Sequence, residues 1–209
     1  MDWKAARQFS ELAVGRPCLR APIAEIAVAA NYLDEAVSAH MSNLGDKAED
    51  LIKLADIASI RDWAESLLCG RCSPYVHYRQ VPDSPATLER AQRVKLRMPT
   101  VEERRALHLR DGYHCRFCGI PVIRKEIRER LRKLYPRLSL WGKTNPECHA
   151  ALLATWAQYD HILPHSRGGD NDLRNIVVTC APCNFGRFSY TLEEVGLADP
   201  RTREPVVSA

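Results

Sequence analysis

Two cysteine pairs and one run of acid, imidazole and amide side chains carry most of the chemistry open to this 209-residue sequence. Cys115 with Cys118, and Cys180 with Cys183, are both C-x-x-C knuckles, and each can aim two sulfurs at one ion across a tight turn. Four thiolates make a closed tetrahedral site, which suits structural rather than catalytic zinc. The gap between Cys118 and Cys180 far exceeds the roughly 15 to 20 residues common between such knuckles, so something has been inserted. The alternative, two unrelated redox-active pairs, lacks the strand-helix surroundings of a thioredoxin-like site. The second constellation, YDHILPHSRGGDNDLRNIVVTCAPCNFGR, occupies residues 159–187. Cutting a phosphodiester with water needs a base, neutralised charge at phosphorus and a stabilised leaving oxygen. His161 is a serviceable base, since imidazole titrates near roughly pH 6.5. Asp160 beside it offers a carboxylate, and Asn184 an amide oxygen, to a hard divalent cation such as magnesium. Arg187, three residues beyond Asn184, and Arg167, in the Gly-Gly turn, are candidates for phosphate contacts. His165 reads as an exposed loop histidine.

An Asp-His step, a Gly-Gly turn, an asparagine before a short apolar strand, a knuckle and a second asparagine together resemble the HNH endonuclease family. Asp160 and His161 match that family's Asp-His step, Asn175 its middle asparagine, and Asn184 its last position, which is histidine or asparagine. The resemblance covers about residues 100–200. It implies the ββα-metal fold, in which a hairpin carries the base and the following helix completes the metal site. It also implies hydrolysis of DNA to a 3′-hydroxyl and a 5′-phosphate, and a supporting role for Asn175, whose amide would bond backbone groups across the hairpin loop and orient the histidine. A different class stays open: a non-catalytic zinc-dependent module that binds nucleic acid without cutting it, as part of a defence or mobile-element system.

The elements that must position these residues form an α+β chain: a helical N-terminal region, then a small zinc-stapled ββα domain with a helical insertion. Residues 22–43, opened by Pro22, and residues 48–68, with Leu51, Leu54, Ile57, Ile60, Ala64 and Leu67 at helical spacing, are expected as two helices of a small bundle. Residues 71–90 hold three prolines and small polar residues, as a linker does. This places a boundary near residue 98, with a helical domain over 1–98 and a nuclease-like domain over 99–209. Thr100 and Glu103 form a capping box for a short helix through Arg110. Residues 120–156 are the insertion. Within it, residues 123–135 put Ile123, Ile127, Leu131 and Leu134 on one stripe, and Arg124, Arg128 and Arg132 are expected to lie along a nucleic-acid backbone.

Composition narrows the class. Net charge is +4; basic and acidic residues balance over 1–100, so the whole excess lies in 101–209, where phosphate binding is expected. No signal-like start and no long apolar run are present, which leads us to expect a cytoplasmic protein with no membrane span. Eight cysteines are then metal ligands and free thiols rather than disulfides. Cys69 and Cys72 make a third C-x-x-C that His77, Cys148 or His149 could complete as a second zinc site, against the plainer expectation of buried or free thiols. One active site makes one cut, so double-strand cleavage would call for a homodimer or two sequential events.

Overall fold

The computed structural model describes residues 15–206 with the exception of Leu96. Helix α1, Glu25–Met41, buries Ile26, Ala29, Ala36 and Ala39, a stripe of small residues against which α2, Gly45–Leu54, lays Ala48, Leu51 and Ile52. Helix α3, Ala58–Leu68, follows with Ile60, Trp63, Ala64 and Leu67 buried, and the Trp63 indole N–H donates to the Ala21 carbonyl at 2.9 Å. The single helix expected over 48–68 is therefore two. The chain breaks because the Asp56 carboxylate accepts from the Ala150 N–H at 2.7 Å and from Arg61 at 2.8 Å. Aspartate commonly trades a helix-interior position for such backbone bonds.

Helix α4, Val101–Asp111, begins with the expected reciprocal capping box: Glu103 N–H donates to Thr100 Oγ1 at 3.2 Å and Thr100 N–H to Glu103 Oε2 at 2.6 Å. It ends on buried Asp111, which accepts from Val178 N–H at 2.9 Å and so pins the helix to the sheet. The insertion supplies α5, Lys125–Leu134, and a short helix α6, Ala150–Ala154. The sheet has two antiparallel strands, β1 Ala157–His161 and β2 Ile176–Cys180, in a register that sets Ala157 opposite Cys180 and His161 opposite Ile176. Helix α7, Ala181–Arg187, leaves β2 directly, with Pro182 in its first turn, where a missing N–H costs nothing. The fold is α+β.

One hydrophobic core runs across residue 98. It holds Leu19, Ile60, Trp63 and Leu67 from the N-terminal helices together with Leu107, Phe117, Ile176, Val178 and Val195. A second, smaller cluster joins α1 and α2 to Tyr135, Leu140 and Leu152 of the insertion. The boundary drawn at 98 thus separates composition, while apolar packing continues through it. No described helix is long and apolar enough to cross a membrane.

Candidate active site and metal centre

The sulfurs of Cys115, Cys118, Cys180 and Cys183 lie within 4.8 Å of one another, three of these residues being buried. The first knuckle is shaped by Cys115 N–H donating to the Ile120 carbonyl and Gly119 N–H to the Cys115 carbonyl, both at 2.8 Å. Arg116 N–H then donates to the Val178 carbonyl at 2.9 Å, which holds that knuckle against β2 and brings it to the second. Burial pushes the Cys180 thiol up from its ordinary pKa, and its sulfur neighbours do the same to Cys183. Packing four such groups together is unfavourable for thiolates alone, and a divalent cation reverses the balance, so the donor set fits zinc. Among the described residues this is the one such cluster. A second site through Cys69 and Cys72 finds no support. Cys148 donates to the Thr144 carbonyl, and His149 caps α6 through Leu152 N–H while bonding the Ile52 carbonyl at 2.8 Å.

His161 ends β1 and is buried, with 6% of its surface exposed. Its Nε2 lies 2.9 Å from Asn171 Oδ1, and Asn171 Nδ2 donates onward to the Met98 carbonyl. A carbonyl can only accept, so the Asn171 oxygen must face the ring; Nε2 then carries the proton and Nδ1 the lone pair. Burial holds the imidazole below its ordinary pKa, against the opposing influence of Asn171 and Asp160. The ring is therefore neutral at neutral pH, the form a base requires. The sequence reading did not name Asn171, because an asparagine inside a Gly-Asp-Asn-Asp run looks like turn chemistry.

Asn175 spans the loop between the strands. Its Oδ1 accepts from Leu163 N–H at 2.9 Å, and its Nδ2 donates to the Asp170 carbonyl at 2.9 Å and the Leu163 carbonyl at 3.3 Å. Gly169 sits inside this loop so tightly that a Cβ there would stand 1.9 Å from the Leu163 carbonyl oxygen.

The arginines depart from expectation. Arg187 is fully buried and pairs with Asp160 through two bonds, Nε to Oδ2 at 2.8 Å and Nη2 to Oδ1 at 2.5 Å. It also donates to the carbonyls of Tyr190 and His161. It cannot face a phosphate; it ties α7 to the end of β1. Arg167 likewise turns inward, to Glu194 at 2.8 Å and to Ser84 and Pro85 at 3.0 Å, and joins the hairpin loop to two other segments. In α5, Arg128 is 5% exposed, its guanidinium 3.6 Å from the centre of the Trp141 ring and 5.0 Å from that of Trp156. Ile127, expected inside, is 44% exposed. Of the expected stripe, Ile123 and Leu131 pack against the smaller core cluster while Ile127 and Leu134 are exposed, and an arginine stem stacked on two indoles takes the rest of the buried face, a packing that hydrophobic periodicity alone does not reveal. Arg132 stays exposed and pairs with Glu129 at 2.8 Å, and Arg124 is half-buried at the start of α5.

Asp160 was expected as an open cation ligand and is instead shared. A carboxylate has about four lone-pair positions, and Arg187 takes two of them. Asn184 Nδ2 donates to Gln158 Oε1 at 3.4 Å, so its amide oxygen is turned away from that bond. One carboxylate with lone pairs remaining and one amide oxygen fit a hard cation chemically, with water as the other ligands. The arginine already beside the carboxylate must weaken its hold on any cation.

A family model described as HNH endonuclease matches residues 148–190. That span contains α6, both strands, the loop and α7, and leaves the first knuckle outside. No curated protein and no solved structure matches the chain. With the strand-loop-strand-helix order, the Asp-His step at the end of β1 and the family match all falling on one segment, the chain carries an HNH endonuclease domain.

Proposed function

We propose that the protein is a metal-dependent endonuclease that hydrolyses DNA phosphodiester bonds, with His161 as the general base. The observation that carries the proposal is the His161 ring: neutral, its tautomer set by Asn171, at the end of the strand that carries Asp160. Nδ1 takes the proton from the attacking water. Asn175 keeps the loop in the shape that holds Asn171 and His161 in register, and misplacement of such a base by about an ångström can lower a rate about a hundredfold. Asp160 and Asn184 would hold magnesium or another divalent cation, which would neutralise charge on the phosphate and the leaving oxygen. Zinc on Cys115, Cys118, Cys180 and Cys183 would have a separate, structural duty.

A second reading has one observation in its favour: the Asp160 carboxylate is engaged by Arg187, which suits a domain that keeps the fold to bind nucleic acid and does not cut. A magnesium-dependent plasmid-nicking assay on the wild type and on His161→Ala separates the two. Nicking by the wild type alone is expected. Equal nicking by both proteins would overturn the role given to His161, and none by either would favour the binding module.

A further inference from the structure

The segment 88–98 lies outside the matched family span, and composition alone makes it look like the end of a linker. In the structure its described residues form a strap tied, through Leu88, Val94 and Met98, to the loop of the catalytic hairpin. Leu88 N–H donates to the Ser166 carbonyl at 2.8 Å, His165 Nε2 bonds the Val94 carbonyl at 2.8 Å, and the Met98 carbonyl accepts from Asn171. Asn171 in turn holds His161. One end of the strap is therefore two hydrogen bonds from the base.

The strap is also basic. It carries Arg90, Arg93, Lys95 and Arg97 against the single acid Glu89. Arg93 is used internally, donating to the Leu88 carbonyl at 2.8 and 3.0 Å. Arg90, Lys95 and Arg97 are exposed, and among the described residues none of the three takes part in an ion pair with a carboxylate. The arginines first expected to meet phosphate contrast with this: Arg187, Arg167 and Arg128 are turned inward and paired or stacked. Arg97 directly precedes Met98, whose carbonyl is held by the same Asn171 amide that bonds His161.

Resting on the nuclease reading above, we propose that the strap is the phosphate-binding element of this site, with Arg97 contacting the phosphodiester that His161-activated water attacks and with Lys95 and Arg90 on neighbouring phosphates. Arg97 supplies a cation beside the atom where negative charge develops, and it does so from outside the ββα core. Asp160 has its own arginine and Asn184 is neutral, whereas the strap brings exposed cations with no carboxylate partner among the described residues to a segment whose backbone is two hydrogen bonds from His161. The ligand class is a nucleic-acid backbone, recognised by charge and without base readout. Met98, through its carbonyl, has a positioning role: it sets the Asn171 amide and so the tautomer of the base.

The test uses the full-length zinc-loaded chain and two readouts. Binding of a short fluorescent DNA duplex is measured against salt in the His161→Ala background, so that no cutting interferes. Arg97→Gln should flatten the logarithmic salt slope by about 0.9, the value for one lost phosphate contact, and Arg90→Gln with Lys95→Gln by about twice that. In the nicking assay Arg97→Gln should lower kcat by a hundredfold or more, as loss of one charge-stabilising donor does, and Arg97→Lys should recover part of it. Zinc content and melting temperature should not move, because the side chain is exposed. An unchanged slope together with unchanged nicking overturns the proposal. If the wild type binds DNA but does not cut, the nuclease reading fails and the salt slope alone decides the strap. If it binds no DNA at any salt concentration, both fail.

Discussion

The buried pair between Asp160 and Arg187 gives a prediction that can be worked from the structure. Replacing Arg187 with leucine puts an apolar side chain in a fully buried position and removes a guanidinium that makes two charge-assisted bonds to Asp160 and further bonds to the Tyr190 and His161 carbonyls. The carboxylate left behind has 7% of its side chain exposed, so water cannot replace the lost partner. Breaking a buried pair from one side typically costs about 3–5 kcal/mol. For a chain of this size each kcal/mol lowers the melting temperature by about 2–4 °C, so a fall of about 6–20 °C is expected. The assay is thermal unfolding at fixed, saturating zinc, since a bound metal otherwise makes the midpoint depend on its concentration. Arg187→Lys should fall in between, because an ammonium keeps the charge without the two-pronged geometry. The double variant Asp160→Asn, Arg187→Leu should recover part of the loss. A shift of less than about 2 °C for Arg187→Leu would refute the claim that this pair fastens α7 to β1, and would return Arg187 to the list of candidate phosphate contacts.

Other perturbations follow from the same geometry. Gly169→Ala must force the loop open, because its Cβ would meet the Leu163 carbonyl oxygen at 1.9 Å; nicking should drop at least tenfold, and wild-type rates would show that the loop does not hold the base. His149 and His108 are both held below their ordinary pKa, chiefly by burial. Native protein therefore resists protonation that the unfolded chain accepts, and the stability these groups provide is complete above about pH 6.5 and lost as pH falls through their depressed values. The urea midpoint should fall between pH 7.5 and 5.5, and fall less in His149→Asn; equal falls in both proteins would remove His149 as a cause. Metal analysis should find one zinc per chain, and a chelator strong enough to remove it should unfold the hairpin. A weaker chelator that takes only the catalytic cation should stop nicking with the circular dichroism spectrum unchanged, and a spectrum that collapses with activity would mean that one ion does both jobs.

Local chemistry was the part of this molecule most readable from the sequence. The capping box at Thr100, the two knuckles and the Asp-His step each depend on neighbours a few residues away, and spacing alone brings their atoms together. What could not be read depends on distant partners. Asp56 interrupts a good helical pattern because it caps a helix almost a hundred residues further on. Arg128 breaks the expected stripe because two indoles from outside its helix offer faces that an arginine stem can use. Arg187 and Arg167 look like phosphate ligands as long as charge is counted without burial. Each finds a carboxylate in the folded chain, 27 residues away in both cases. The strap at 88–98 was hidden for the opposite reason: polar, lacking periodicity and following the proline-bearing stretch 71–90, it reads as a connector, and only its hydrogen bonds to the hairpin loop reveal where it lies.

The single core that crosses residue 98 bears on how the segment matching the HNH model could be moved. Helix α3 packs against both α6 and α7, and Leu67 of α3 lies against Gly186 of the helix that carries Asn184. A fragment cut at the boundary that composition suggests would bare the back of that helix and lose the strap along with it. The segment is thus poorly suited to grafting onto another protein as a self-sufficient cutting module. Any transplant would have to carry α3 and the strap, and the natural unit of exchange is nearer to the whole described chain than to the span, residues 148–190, that matches the family model.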